Sequence, residues 1–339
     1  MLVRCAIFLL LFFFPCQGLF ISECAAQPNL SNARNSFIAV RKPADYVFPG
    51  QTAEKAIRKS SVAIVKRIKR ADYEGDRAAL KQLYADLAPF GDDKKIGANV
   101  HYWRGFAMWR RAFNGTTASS EELEEDLTSA AKEFERAIQK DPDFVDAKKG
   151  AASCWQNISA LYYVGKDLPH AREYMESSFP LLKEAEAAQP NNPRLLWVLG
   201  AYRFYNPPER GGGQAFAIET YEKGLRAARQ QASRTHDILK PSWGEPELLM
   251  SLAFSNLNRT NPDLTAAEQQ AEQALTLVPY WHYVRDLLLP QIRDAKKTRD
   301  DLYRKKLIIG GRLDSHAGCI RSASDCRLVQ DPSLKSKLD

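Results

Sequence analysis

Residues 129–142 read SAAKEFERAIQKDP, and their spacing decides the fold. Ala130, Phe134, Ala137 and Pro142 stand four, three and five positions apart, and Ala267, Ala271, Ala274 and Pro279 repeat that spacing in TAAEQQAEQALTLVP. Ala217, Tyr221 and Gly224 stand four and three apart in AFAIETYEKGL, and Ala185 and Pro190 stand five apart in EAEAAQP. Small residues on one helical face let a partner helix approach closely, and an aromatic one turn along fills the gap beside them. The proline then ends the helix, because it lacks an amide hydrogen and restricts the residue before it. Self-similarity of this kind marks stacked helix pairs.

Working outward, the first helices of these pairs carry the matching half. Trp197, Leu199, Gly200 and Tyr202 follow Pro193, Trp103, Gly105 and Phe106 lie in YWRGFAMW, and AKKGAASCW offers Ala151, Ala152 and Trp155. Together these residues resemble the tetratricopeptide (TPR) pattern: tryptophan, a leucine-glycine pair and tyrosine, then alanine, aromatic, alanine and proline. The match is closest in 193–224 and 130–142. Ala137, Ala185, Gly224 and Ala274 recur every 39 to 50 residues, longer than the standard repeat of about 34. The extra length falls in a loop at 114–126 and in a long helix from Leu168, which Pro180 is expected to bend. HEAT or armadillo repeats fit the period better but lack this grammar.

The resemblance implies an all-α fold, a right-handed α-solenoid of helix-turn-helix repeats over 52–301. Apolar residues recur at helical spacing beyond Pro49, and no stretch alternates as a strand. Breaks fall at 90–93, 114–116, 190–193, 206–213, 241–244 and 261–263, where Gly, Pro, Asn and Asp cluster. Residues 52–70 and 77–87 read as an opening pair with Ala78 and Ala85 as its small residues. A closing helix from Trp281 to Asp301 should cover the last pair, as solenoid ends require.

Residues 1–26 read as a signal peptide: a cationic start at Met1–Arg4, an apolar run from Cys5 to Phe14, then Pro15, Gln17 and Gly18 as breakers. Cleavage after Gly18 or Ala26 would leave no stable membrane anchor, an extended segment at 27–51, and a periplasmic or secreted chain. Neither Cys16 nor Cys24 follows a small residue as a lipidation motif requires. Disulfides persist outside the cytosol, so Cys319 and Cys326, close together in the polar tail 302–339, are expected to pair. Cys154, beside Trp155 in an apolar helix, is expected in the core as a small hydrophobe.

The chain carries 48 Lys and Arg against 41 Asp and Glu, a net charge of +7. This charge is spread along the chain except at Lys66–Arg70 and Lys296–Lys306, and no nucleic-acid module accompanies it. No phosphate-cradling loop, GxSxG elbow or HExxH is present. The five histidines stand apart from cysteines and carboxylate pairs in the sequence, so no catalytic residue, cofactor or metal site is expected. Gly211–Gly213 reads as an inter-helix turn rather than an anion cradle, since no strand precedes it and no lysine follows. Glu121–Asp126 reads as the acidic first turn of a helix. Asn29, Asn114, Asn157 and Asn258 lie in N-x-S/T sequons, which matter only in a eukaryotic secretory pathway.

What remains is a surface for binding. In TPR arrays the first helix of each pair lines a groove, which implies a role for the residues opposite the small-residue seam. These are Tyr102, Phe106, Trp109 and Arg110, then Lys149, Ser153, Gln156 and Asn157, then Arg194, Trp197, Ala201, Phe204 and Tyr205. Glu247, Met250, Phe254 and Leu257 follow in the last pair. Aromatics beside arginine are typical anchors for a bound segment, so the expected partner is a protein or peptide. Ser153 stands where a carboxylate clamp would need asparagine, so no such clamp is expected. The turn NPPERGGG before a TPR-like helix also resembles the T component of tripartite periplasmic transporters, which implies small-ligand capture as the second function.

Overall fold

The computed structural model describes residues 53–232 and 237–302. The expected signal peptide, the segment 27–51, the tail beyond Leu302 and the Cys319–Cys326 pair lie outside these residues. The chain divides into two units, Met1–Ile292 and Arg293–Asp339. Of the second, residues 293–302 are helical, and everything described below belongs to the first.

The fold is all-α. Ten α-helices run in order: α1 Ala53–Glu74, α2 Arg77–Asp86, α3 Gly97–Phe113, α4 Ser120–Lys140, α5 Val145–Val164, α6 Leu168–Ala188, α7 Pro193–Tyr205, α8 Gln214–Ala232, α9 Glu245–Asn258 and α10 Leu264–Leu277. A further helix enters at residue 282 through a π-turn, Val284–Leu288. Among the described residues there is no strand, and no helix is long and apolar enough to cross a membrane.

Side-chain caps set the helix starts. Asp76, Ser119, Asp167, Asn192 and Asp263 each accept a backbone N–H from the first turn that follows, which satisfies donors that have no partner inside the helix. Pro193 occupies the first turn of α7, where its missing N–H costs nothing.

Helices pair as α3/α4, α5/α6, α7/α8 and α9/α10, and α4 packs onward against α5 and α8 against α9. This is the solenoid of helix pairs expected from the sequence. Ala137, Ala185, Gly224 and Ala274 are all buried. Phe134 on α4 fits between two glycines: a Cβ on Gly105 of α3 would stand 2.9 Å from its ring, and one on Gly150 of α5 would stand 2.7 Å away. Tyr221 on α8 fills the same place against Gly200, where a Cβ would approach to 2.3 Å. Cys154 is a buried free thiol, as expected.

The opening pair departs from expectation. Ala78 and Ala85 are exposed, and α2 buries Leu80 and Leu83 instead. Alanine spacing in so short a helix matched the seam pattern by coincidence, while the leucines carry the packing. Helix α1 packs on α2 and α3, and its Tyr73 reaches Trp281, with ring centroids 5.0 Å apart, inside a cluster that includes Val284 and Leu288. At the α1–α2 turn, Gly75 (φ +73°) leaves room for the His282 ring, only 2.6 Å from where a Cβ would be. His282 Nε2 also meets Asn114 Oδ1 at 3.0 Å.

Candidate functional site

The first-helix face was expected to be an open rim of aromatics, and the structure buries it. Tyr102, Phe106, Trp109, Arg110, Lys149, Ser153, Asn157, Arg194, Trp197 and Phe204 are all buried, while Gln156 and Tyr205 are half-buried. The physical reason is that the α8–α9 connection, residues 237–244, lies across this face. Trp243 Nε1 donates to the Tyr102 hydroxyl at 2.7 Å, Trp103 Nε1 donates to the Leu239 carbonyl at 2.8 Å, and Arg194 Nη1 donates to the Trp243 carbonyl at 3.0 Å. The Trp243 ring packs among Phe106, Trp109 and Trp197, at centroid distances of 5.4 to 6.1 Å. Aromatic pairs at these separations add stability beyond their burial.

The polar residues of the expected groove serve this interior. Arg194 forks onto both carboxylate oxygens of Asp146, its Nη2 3.1 Å from Oδ2, and its Nη1 also donates to Gln231 Oε1 at 2.6 Å. Asn157 Nδ2 donates to the Ser153 carbonyl, inside its own helix. Lys149 is 1% exposed. Its Nζ finds no hydrogen-bond acceptor among the described residues and lies 4.8 Å and 4.5 Å from the Trp109 and Trp243 ring centroids. Burial pulls this ammonium down to about 7. Lys69, over the Trp103 ring at 5.3 Å, is lowered by the same cause. Glu247 accepts the Tyr73 hydroxyl at 2.7 Å, and its carboxyl is raised by burial.

One expected residue keeps an open side. Arg110 donates from Nε to Asp72 Oδ1 at 2.7 Å, and Asp72 is the only hydrogen-bond acceptor of its guanidinium among the described residues. Arg110, Trp197, Ala201, Phe204 and Tyr205 line a cavity of about 60 Å³. Phe113 and Asn114 at the end of α3, Met250, Ser251, Phe254 and Ser255 of α9, Tyr221 of α8, and Trp281 and Tyr283 complete its walls. Trp197 Nε1 donates to Ser251 Oγ at 2.8 Å, so the indole is fixed as a wall. Thus the structure brings together Arg110, Trp197, Phe204 and Tyr205, and leaves Tyr102, Phe106, Trp109, Lys149, Ser153, Gln156, Asn157 and Arg194 out of the cavity.

His101, apart from carboxylates in the sequence, meets one in the fold: its Nδ1 lies 2.6 Å from Glu133 Oε2, and Arg104 and Arg136 converge on Oε1 of the same carboxylate. Burial alone would raise the Glu133 carboxyl, but these partners pull it down to about 2. The Gly211–Gly213 turn is no anion cradle, as expected, because the amides of Gly211, Gly212 and Gly213 donate to Pro208, Pro207 and Arg203 carbonyls. Gly212, however, is buried, and a Cβ there would stand 2.1 Å from the Asn206 carbonyl oxygen. Among the described residues no group of His, Cys, Asp and Glu could hold a metal ion.

Compared with known proteins, the chain matches no family model, and no curated protein matches it. Among solved structures it is similar to a thermophilic TPR protein of Thermus thermophilus, at 18% identity and a TM-score of 0.44, over 71% of this chain and 99% of that one.

Proposed function

We propose that this chain is a non-catalytic binding scaffold that holds a protein segment by an apolar side chain seated in the α3–α7–α9 cavity. The observation that supports this reading is the cavity itself. Its walls are aromatic, its rim of Tyr205, Met250, Phe254 and Tyr283 is half-buried, and it is bordered by a single guanidinium. Sites that bind by one inserted anchor have this composition, an apolar depression with few polar groups. Because residues 237–244 lie on the first-helix face, binding is confined to this depression rather than spread along a groove. The reading places the scaffold outside the cytosol, on the strength of the cationic and apolar pattern of Met1–Phe14.

Selection of displayed random peptides on the full chain, with Ala201→Leu as counter-target, tests the function. Leucine at this position fills the cavity from α7 without disturbing a hydrogen bond. Peptides carrying a large apolar residue should be enriched on the wild-type chain and lost on the variant, whose melting temperature should be unchanged. Equal recovery on both proteins would overturn the proposal.

A further inference from the structure

We infer that the cavity selects a segment in which a large apolar residue is flanked by aspartate or glutamate, the carboxylate being received by the Nη edge of Arg110. This rests on the reading of the cavity as the binding site, and adds the chemistry of its partner.

Arg110 is 5% exposed, yet only its Nε edge is used, by Asp72. Asp72 is itself held by Asn114 Nδ2, which donates to the same Oδ1 at 3.2 Å. The other acid near Arg110, Glu247, accepts the Tyr73 hydroxyl on Oε1, and its Oε2 makes no hydrogen bond to Arg110 or to any other described residue. The phenyl rings nearby, Phe106 and Phe113, lie 5.9 Å and 5.3 Å from the guanidinium carbon and offer no hydrogen-bond acceptor. A desolvated guanidinium with unused donors is a strong site for a carboxylate, because charge-assisted bonds gain most where water is excluded. The remaining cavity walls carry no charge and, apart from Asn114, Ser251, Ser255 and the tyrosine hydroxyls, are apolar, which favours an apolar side chain for the rest of the occupant. A protein segment satisfies both demands with adjacent residues, whereas a purely apolar occupant would leave the Nη donors dry and unpaired.

The test uses two blocked peptides, acetyl-Ser-Asp-Trp-Glu-Ser-amide and its neutral counterpart with Asn and Gln for Asp and Glu, titrated against the full chain by fluorescence anisotropy. The acidic peptide should bind about tenfold or more tightly than the neutral one, and the preference should weaken as salt rises. Arg110→Lys, which preserves a cation for Asp72 but removes the fork, should shrink the ratio between the two affinities to near one, whatever it does to each affinity alone. Equal binding of both peptides to the wild-type chain would overturn the inference and leave the cavity reading standing, provided Ala201→Leu abolishes both. Absence of binding by either peptide would overturn both. Free indole-3-propionate is the remaining arm: if it binds while the peptides do not, the carboxylate belongs to a small molecule and the segment proposal fails.

Discussion

The two faces of helices α3, α5 and α7 are built on opposite rules. The face toward α4 and α8 is made of glycine and alanine, and one ring per pair, Phe134 or Tyr221, closes the space. The other face is made of the largest side chains in the protein, Trp103, Trp109 and Arg194 among them, with ion pairs sealed inside. Both are fully packed. A seam of small residues is specified locally by a repeating interval, whereas an aromatic and ionic interior is specified by partners far apart in the chain, Asp146 with Arg194 and Tyr73 with Glu247.

The largest expected effect tests whether the second face is core. Trp197 is 3% exposed, and Trp197→Ala should cost about 3–5 kcal/mol of stability, the range for deleting a buried large aromatic. A denaturant midpoint close to that of the wild-type chain would return Trp197 to the surface and erase the contrast. Next comes the seam. Gly200→Leu forces a side chain into the Tyr221 ring and should cost roughly 1–3 kcal/mol or more. Gly212→Leu, at a turn whose sequence suggests tolerance, should cost as much, because a backbone carbonyl cannot turn aside as a ring can. A mild effect at Gly212 alone would show that this turn relaxes.

The smallest effect has the opposite sign. Lys149 holds its proton less firmly when folded, near 7, than at the ordinary 10.5. Between these values the unfolded chain binds more protons, so stability rises with pH across this window and is lowest below it. Lys149→Met removes the penalty, and its melting temperature at pH 7 should rise by on the order of 5 °C, with a flatter rise between pH 7 and 9.5. A variant that melts lower at pH 7 would show that stacking on Trp109 and Trp243 outweighs the burial of charge.

The seam was legible in the sequence because small residues at helical intervals have few other uses. Phe134, Ala137, Gly200 and Tyr221 all lie where their spacing puts them. Gly150 was missed, since the alanines beside it fit the same role. The binding face was misread for a physical reason: helical periodicity says which residues share a face, and says nothing about what lies over it. The covering segment, ILKPSWG, has no period of its own and reads only as a break between helices. Even so, Arg110, Trp197, Phe204 and Tyr205, which the resemblance to TPR arrays puts on one groove face, do line one cavity. Its other half, Trp281 and Tyr283, comes from a turn that the sequence presents only as the start of a closing helix.

Tyr73 against Trp281, and Gly75 against His282, join the beginning of the described helices to the turn that follows α10. Linear arrays of helix pairs touch only their neighbours, so they can fray inward from either end and pass through partly unzipped species. Here each terminal pair is fastened to the other. Losing one exposes the second, so melting of this unit should be a single cooperative event in which circular dichroism and tryptophan fluorescence coincide. The same fastening delays folding, because residues some two hundred positions apart must meet before either end is secured.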